Sequence, residues 1–206
     1  MKKIKVLIAD DHMIVRVGLS ALLSHEKDIL VVGEAEDGLL AVKQVNALHP
    51  DIVILDLMMP GLDGVSVTRK ICDQSPSTKV LILTSYSTSD GITHALDAGA
   101  AGAVLKTADD SILLTAIRKI SSGERFVSPQ IQNLLAVDPP SKALSPRQKD
   151  VLDSMIRGLT NKDIARQLGI GEGRVESHIN AIFQKINAAN RTEAVAIALR
   201  KHLLKI

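Results

Sequence analysis

Aromatic residues are nearly absent from this chain. Its 206 residues include no Trp, one Tyr and two Phe, which argues against stacking of single-stranded bases on aromatic rings. A core must come from Leu, Ile, Val, Ala and Met. The 46% hydrophobic and 23% charged residues are the mixture of a soluble globular protein. There is a single cysteine, Cys72, so an intrachain disulfide is ruled out. Its neighbours Val65, Val67 and Ile71 make a buried, inert thiol the expectation. No apolar run reaches the length of a membrane span. The short run Val6 to Ala9, behind an N-terminal lysine pair, is cut by Asp10 and Asp11 too soon for a secretory signal. The expected location is therefore the cytoplasm.

Net charge is also small, at +2, but it is unevenly spread. Residues 144–206 hold 11 Lys/Arg against 6 Asp/Glu, and residues 1–143 hold 14 against 17. A basic C-terminal part suits a polyanion, and an acidic N-terminal part suits cation chemistry.

What is present is a regular alternation. The runs Ile4 to Ala9, Ile29 to Val32, Ile52 to Leu55, Val80 to Leu83 and Ala103 to Leu105 lack polar alternation, as strands buried on both faces do. Between them lie helical stripes such as Val15, Leu19, Leu22 and Leu23, or Ile112, Leu113, Ala116, Ile117 and Ile120. Five βα units follow: a doubly wound α/β domain on a five-stranded parallel sheet over residues 1–120. Residues 121–142 read as a linker with a short helix around Pro129 to Ala136, closed by Asp138-Pro139-Pro140-Ser141. Residues 143–206 show no strand pattern. Start signals at Ser145-Pro146-Arg147-Gln148, Thr160 to Asp163 and Asn190 to Glu193, with Gly158, Gly169 and Gly171 as breaks, predict an all-α four-helix unit of helix-turn-helix type.

Ligands of open parallel sheets bind beyond the carboxyl ends of the strands. The residues standing there are Asp10 and Asp11, Asp56, Thr84 and Lys106. Three crowded carboxylates repel unless a hard cation offsets them, and Mg²⁺ with its oxygen ligands fits. A lysine and a threonine hydroxyl can hold phosphoryl oxygens. Such a set suits in-line phosphoryl transfer onto a carboxylate.

The stretches Ile8-Ala9-Asp10-Asp11-His12, Ile54 to Gly64, Leu83-Thr84-Ser85 and Leu105-Lys106 resemble the signature positions of response-regulator receiver domains, which have a flavodoxin-like fold. The resemblance implies that Asp56 accepts the phosphoryl group and that Asp10, Asp11, Asp56 and the Met58 carbonyl serve Mg²⁺. It also implies that Thr84 and Lys106 hold the phosphoryl oxygens, and that a sensor histidine kinase is the partner. Receivers usually carry Tyr or Phe three residues before the lysine, where this chain has Ala103; Tyr86 is the aromatic available to take over part of that role.

Leu144 to Val151, Gly158 to Ala165, Leu168-Gly-Ile, Val175 to His178 and Asn190 to Ala194 resemble the LuxR-type helix-turn-helix. The combination is that of NarL/FixJ-type response regulators: phosphorylation-dependent, DNA-binding transcriptional regulators of two-component systems, without an enzymatic activity beyond their own phosphorylation and dephosphorylation. On the third C-terminal helix Val175, Ile179, Ile182 and Ile186 share an inner face. Ser177, Asn180 and Gln184, flanked by Glu176, share the outer one, from which they can reach groove edges of double-stranded DNA. Lys162, Arg166, Arg174, Lys185 and Arg191 are the expected phosphate contacts. Glu176 stands where a lysine is common, Arg174 where a threonine is, Gly171 where a capping serine is and Gln148 where a glutamate is. The last helix, from Thr192, is expected to support a homodimer.

Two other readings stay open on the residues. One is a hydrolase with an aspartate nucleophile, but that class usually places a second acid two residues on, where Met58 stands. The other is a receiver-controlled protein, or one independent of phosphorylation, whose C-terminal part acts mainly through protein contacts.

Overall fold

In the computed structural model, which describes residues 3–85, 89–141, 144–201 and 203–204, the chain forms two compact units, Met1–Asp138 and Pro139–Ile206. The first contains β1 (Ile4–Ala9), α1 (Met13–Ser24), β2 (Ile29–Ala35), α2 (Gly38–Leu48), β3 (Ile52–Leu55) and α3 (Gly64–Gln74). It continues with β4 (Lys79–Thr84), α4 (Ser89–Asp97), β5 (Gly102–Leu105), α5 (Asp110–Ser121), β6 (Phe126–Val127) and α6 (Pro129–Val137).

Among the described residues all strands pair in parallel, in the order β2-β1-β3-β4-β5-β6. Alternate side chains of each strand enter opposite cores, which is why the apolar runs need no polar alternation. Leu7, Val53, Val80 and Ala103 meet α2, α3, α4 and α6 on one side, through residues such as Val45, Ile71, Ile92 and Ile131. Val6, Ile52, Leu81 and Val104 meet α1 and α5 on the other, through Leu23 and Ile117. The chain leaves β1 outward to β2 and then crosses to β3 on its other side, so the carboxyl ends of β1 and β3 flank a topological switch point.

The sheet has one strand more than the five expected. Phe126–Val127 pairs with Gly102–Ala103, and a two-residue strand is too short to show a period-two pattern. A Cβ on Gly102 would lie 2.2 Å from the Phe126 carbonyl oxygen, so glycine is what lets the two backbones approach. The segment read as a linker with a short helix thus holds both β6 and α6. Helix α6 buries Ile131 completely and packs Leu134 and Leu135 against the same core as Ala103. Asp138 caps its end and accepts a 3.2 Å hydrogen bond from the Ser89 hydroxyl at the start of α4. Ile131→Ala should cost about 2–5 kcal/mol, as core truncations do. Chemical denaturation of the first unit measures it, and a cost near zero would mean that α6 does not contribute to this core.

The second unit is all-helical: α7 (Pro146–Ile156), α8 (Asn161–Leu168), α9 (Glu172–Ile186) and α10 (Arg191–Arg200). Its start signals act as their residue types require. Ser145 and Gln148 form a reciprocal capping box, as do Thr160 and Asp163, and Asn190 accepts from the Glu193 N–H at 2.9 Å. Val175, Ile179, Ile182 and Ile186 are all buried, together with Val151, Leu152, Ile164 and Ala194.

Candidate functional site

The acidic residues at the switch point converge around one lysine. Asp10 and Asp56, directly after β1 and β3, are 3% and 5% exposed at their side chains, and Lys106, directly after β5, is 11% exposed. Lys106 Nζ lies 2.6 Å from Asp10 Oδ2 and 2.9 Å from Asp56 Oδ2. Its backbone N–H donates to the Thr84 carbonyl at 2.9 Å, which ties the end of β5 to the end of β4. Thr84 is itself buried there. The other oxygens are less engaged. Asp10 Oδ1 accepts the His12 N–H at 2.9 Å, and Asp56 Oδ1 has only a 3.4 Å contact from the Met58 N–H.

Burial pushes the Asp56 carboxyl above its ordinary pKa and Asp10 adds to the rise, while the Lys106 ammonium opposes it without cancelling it. Burial alone would lower Lys106, but the two carboxylates outweigh it and hold the ammonium above its ordinary value. The pocket therefore holds more negative charge than its one lysine settles, with Asp56 as the strained member.

Gly64 backs this site. A Cβ there would stand 2.5 Å from the Asp56 carbonyl oxygen and 2.7 Å from Leu57 Cα, so α3 can begin against the strand that carries Asp56 only with glycine. Asp63 caps α3 by accepting the Ser66 N–H at 2.8 Å.

The acidic group passes a direct test of fit to a divalent cation. Asp10, Asp11, His12 and Asp56 can each offer one ligand atom within 4.8 Å of the others. Asp11 Oδ1 is screened from solvent yet accepts no hydrogen bond. With His12 Nδ1 2.8 Å away as its ion-pair neighbour and two further carboxylates beside it, this oxygen lies in a donor set that fits a divalent cation.

Ala103, in place of an aromatic, is fully buried between Ile82 of β4 and Val127 of β6, beside α6. Tyr86 lies outside the described residues. Cys72 is half-buried, its thiol near the Gly99 carbonyl, and burial raises its pKa, so the protonated form is favoured.

In the second unit, α8 ends on Gly169 in the left-handed conformation (φ 64°), and α9 starts two residues later from Gly171, which offers no side-chain cap. Lys162, Arg166, Arg174, Glu176, Ser177, Asn180 and Gln184 are exposed. The Ser177 hydroxyl donates to the Gly173 carbonyl at 2.9 Å, within its own helix. Lys185 and Arg191 differ from the other cations grouped with them on sequence. Lys185 Nζ donates to Gln148 Oε1 at 2.8 Å, and that same oxygen accepts the Ser145 N–H at 2.9 Å. Arg191 donates to the Leu159 carbonyl at 2.6 Å and to Asn161 Oδ1 at 3.3 Å. Both are half-buried braces between helices.

Sequence reasoning missed several of these contacts. Gln148 joins two helices, and Arg16 donates to the Asp10 carbonyl at 2.7 Å and lies 3.6 Å from Glu34. His12, adjacent to the two aspartates, was legible as a neighbour but not as a contact.

Comparison with known proteins agrees with both halves. Residues 6–118 match the response regulator receiver domain, and residues 142–198 match the luxR family of bacterial regulatory proteins. The chain is 37% identical over 214 residues to the oxygen regulatory protein NreC of Staphylococcus carnosus, covering 97% of this chain and 99% of that one. Among solved structures, the response regulator ChrA of a heme-sensing two-component system is 37% identical with a TM-score of 0.60, covering 99% of this chain and all of that one. RcsB from Salmonella enterica serovar Typhimurium, solved bound to a promoter with the phosphomimetic BeF3−, is 27% identical with a TM-score of 0.75 over 97% and 99%. The aspartate pocket lies within the receiver match and the capped helix-turn-helix within the luxR match, and with a relative 37% identical over nearly its whole length the chain belongs to the NarL-type response regulators of two-component systems.

Proposed function

We propose that Asp56 accepts a phosphoryl group from a sensor histidine kinase, and that this raises the affinity of the α8–α9 helix-turn-helix for double-stranded DNA. The carrying observation is the placement of the Asp56 carboxylate between Asp10, Lys106 and Met58, buried and held above its ordinary pKa. In the transfer an Asp56 carboxylate oxygen bonds to phosphorus. The bond from phosphorus to the donor atom breaks, and its electron pair leaves with the donor. Lys106 holds a phosphoryl oxygen as a point charge, and the Thr84 hydroxyl donates to another. Asp10, Asp11, Asp56 and the Met58 carbonyl would hold Mg²⁺, which when bound offsets the charge gathered on the phosphoryl oxygens.

Transmission runs without the usual aromatic. Thr84 ends β4, α4 begins at Ser89, and Ser89 hydrogen-bonds Asp138 at the end of α6, one residue before the Pro139-Pro140 step to the second unit. We infer that a pull on Thr84 is passed to α4 and, through the Ser89–Asp138 hydrogen bond, to the end of α6.

On the DNA side, Lys162, Arg166 and Arg174 contact phosphates, and Ser177, Asn180 and Gln184 face base edges, while Lys185 and Arg191 keep α9 and α10 in place. The active form is a homodimer on a two-fold site, a reading supported by RcsB, which has been solved as dimers on DNA. The working location is the cytoplasm, where DNA lies; among the described residues no helix is long and apolar enough to cross a membrane.

Exposed Glu176 favours a second reading, in which the C-terminal unit binds protein. A salt-dependent gel shift on mixed genomic duplexes separates the two. DNA binding that weakens steeply with salt is expected from phosphate contacts. Absence of any shift at low salt, with or without a phosphodonor, would favour the protein-binding reading.

A further inference from the structure

We propose that Arg16 is a positioning residue for the cation site, and that it sets the affinity for Mg²⁺ by fixing the peptide unit that joins Asp10 to Asp11. This rests on the phosphoacceptor pocket described above and concerns a side chain that offers that pocket no ligand. Arg16 lies in the first turn of α1 and is 13% exposed at its side chain. Its Nη1 donates to the Asp10 carbonyl at 2.7 Å, whereas Glu34 Oε2 lies farther off, 3.6 Å from Nε. A nearly buried cation thus makes its closer contact to a backbone carbonyl at the end of β1.

That carbonyl controls both aspartates. The Asp10 N–H donates to the Ala35 carbonyl at 3.1 Å, and the Ala9 carbonyl before it accepts the Asp56 N–H at 2.9 Å. Here the strand ends, and the next peptide holds the Asp10 carbonyl and the Asp11 N–H in one plane. The orientation of that plane sets ψ of Asp10 and φ of Asp11, and with them the directions in which the two carboxylates leave the chain. A planar guanidinium with donors in fixed geometry is suited to hold it.

Arg16 is itself held, through an irregularity in β2. Val6 stands opposite Val31 but Leu7 opposite Gly33, so Val32 is an extra residue. Side chains alternate between the faces of a strand, and the bulge sets Glu34 beside Ile8 instead of beside Ala9, on the α1 side of the sheet. There Glu34 Oε1 accepts the Ser20 hydroxyl at 2.6 Å, one turn along α1 from Arg16, and Oε2 faces the guanidinium. The Glu34 carbonyl accepts Gln44 Nε2 of α2 at 2.7 Å. A line of contacts therefore runs from α2 through Glu34 and Arg16 to the peptide between the two aspartates. Loss of outer contacts that orient metal ligands weakens binding by about 10- to 100-fold.

The test uses the full chain, with Mg²⁺ titrated calorimetrically and, separately, the rate of labelling by a small-molecule phosphodonor followed against Mg²⁺ concentration. Arg16→Met keeps the apolar stem and removes every donor. It should weaken Mg²⁺ binding at least about tenfold and raise the Mg²⁺ needed for half-maximal labelling by the same factor, while the maximal rate at saturating Mg²⁺ falls less than about threefold. Arg16→Lys, which keeps a charge and a donor, should lose about threefold in affinity. Ile131→Ala, a destabilising change in the same unit away from the pocket, should leave both Mg²⁺ quantities within about twofold of wild type, as loss of stability alone would. Wild-type Mg²⁺ affinity in folded Arg16→Met would overturn the proposal, as would a loss no larger than that of Ile131→Ala or a fall in maximal rate at unchanged affinity. Should Arg16→Met fail to fold, Arg16→Lys decides in its place, and wild-type affinity there would overturn the proposal equally. If the wild type binds no Mg²⁺ and takes no label, the phosphoacceptor-pocket reading fails first, and this proposal with it.

Discussion

Asp56→Asn is expected to reduce labelling by a small-molecule phosphodonor to background, because no other carboxylate sits on Lys106 while keeping a nearly unengaged oxygen. Asp10 is the nearest competitor, but its Oδ1 already accepts the His12 N–H at 2.9 Å, against the 3.4 Å contact at Asp56. The label is measured as hydroxylamine-sensitive phosphate on the intact protein. A full label in the variant would move the acceptor elsewhere. The same substitution carries a stability signature. A carboxyl whose folded pKa is raised contributes stability below its unfolded pKa and loses it as pH rises through the folded value. Asp56 is raised by burial and by Asp10 despite Lys106, so at neutral pH its ionised form works against the fold. Without divalent cations, the neutral amide should raise the melting temperature of the first unit at neutral pH, and the gain should vanish below the ordinary carboxylate range. A lower melting temperature at neutral pH would mean that the Lys106 pairing outweighs burial.

Glu176→Lys is expected to tighten binding to all duplexes and to steepen the salt dependence by about one to two ion equivalents. Glu176 is exposed on α9 beside Ser177 and Asn180, and on the proposed DNA-binding face Lys would replace a carboxylate repelled by phosphates with a cation. Titration of one duplex at several salt concentrations measures both quantities. If Glu176 instead reads a cytosine N4 donor, the same variant should relax preference at one base pair by about 1–3 kcal/mol without a general gain. Unchanged affinity, slope and preference would place Glu176 outside the interface.

Much of this site was legible because it depends on where strands end. Continuous apolar runs mark β1, β3, β4 and β5, and parallel topology brings the residues after them together, so Asp10, Asp56, Thr84 and Lys106 group from the sequence alone. The capping pairs Ser145–Gln148 and Thr160–Asp163 were equally readable, since each acts within four residues. What the sequence hid was long-range. Strand β6 has two residues and gives no periodic signal, so α6 read as part of a linker although Ile131 lies in the core. Lys185 and Arg191 fell among the cations, but only folding shows that their partners are Gln148, the Leu159 carbonyl and Asn161. A charge on a helix predicts a face and not what that face meets.

The most direct measurement of the central claim is the affinity of one preparation of the full chain for one specific duplex, before and after phosphorylation, with occupancy of Asp56 read by mass spectrometry. Affinity should rise in proportion to phospho-Asp56 and stay at the unphosphorylated level in Asp56→Asn treated alike. Equal affinity at high and zero occupancy of Asp56 would contradict the claim that this carboxylate controls the DNA-binding unit.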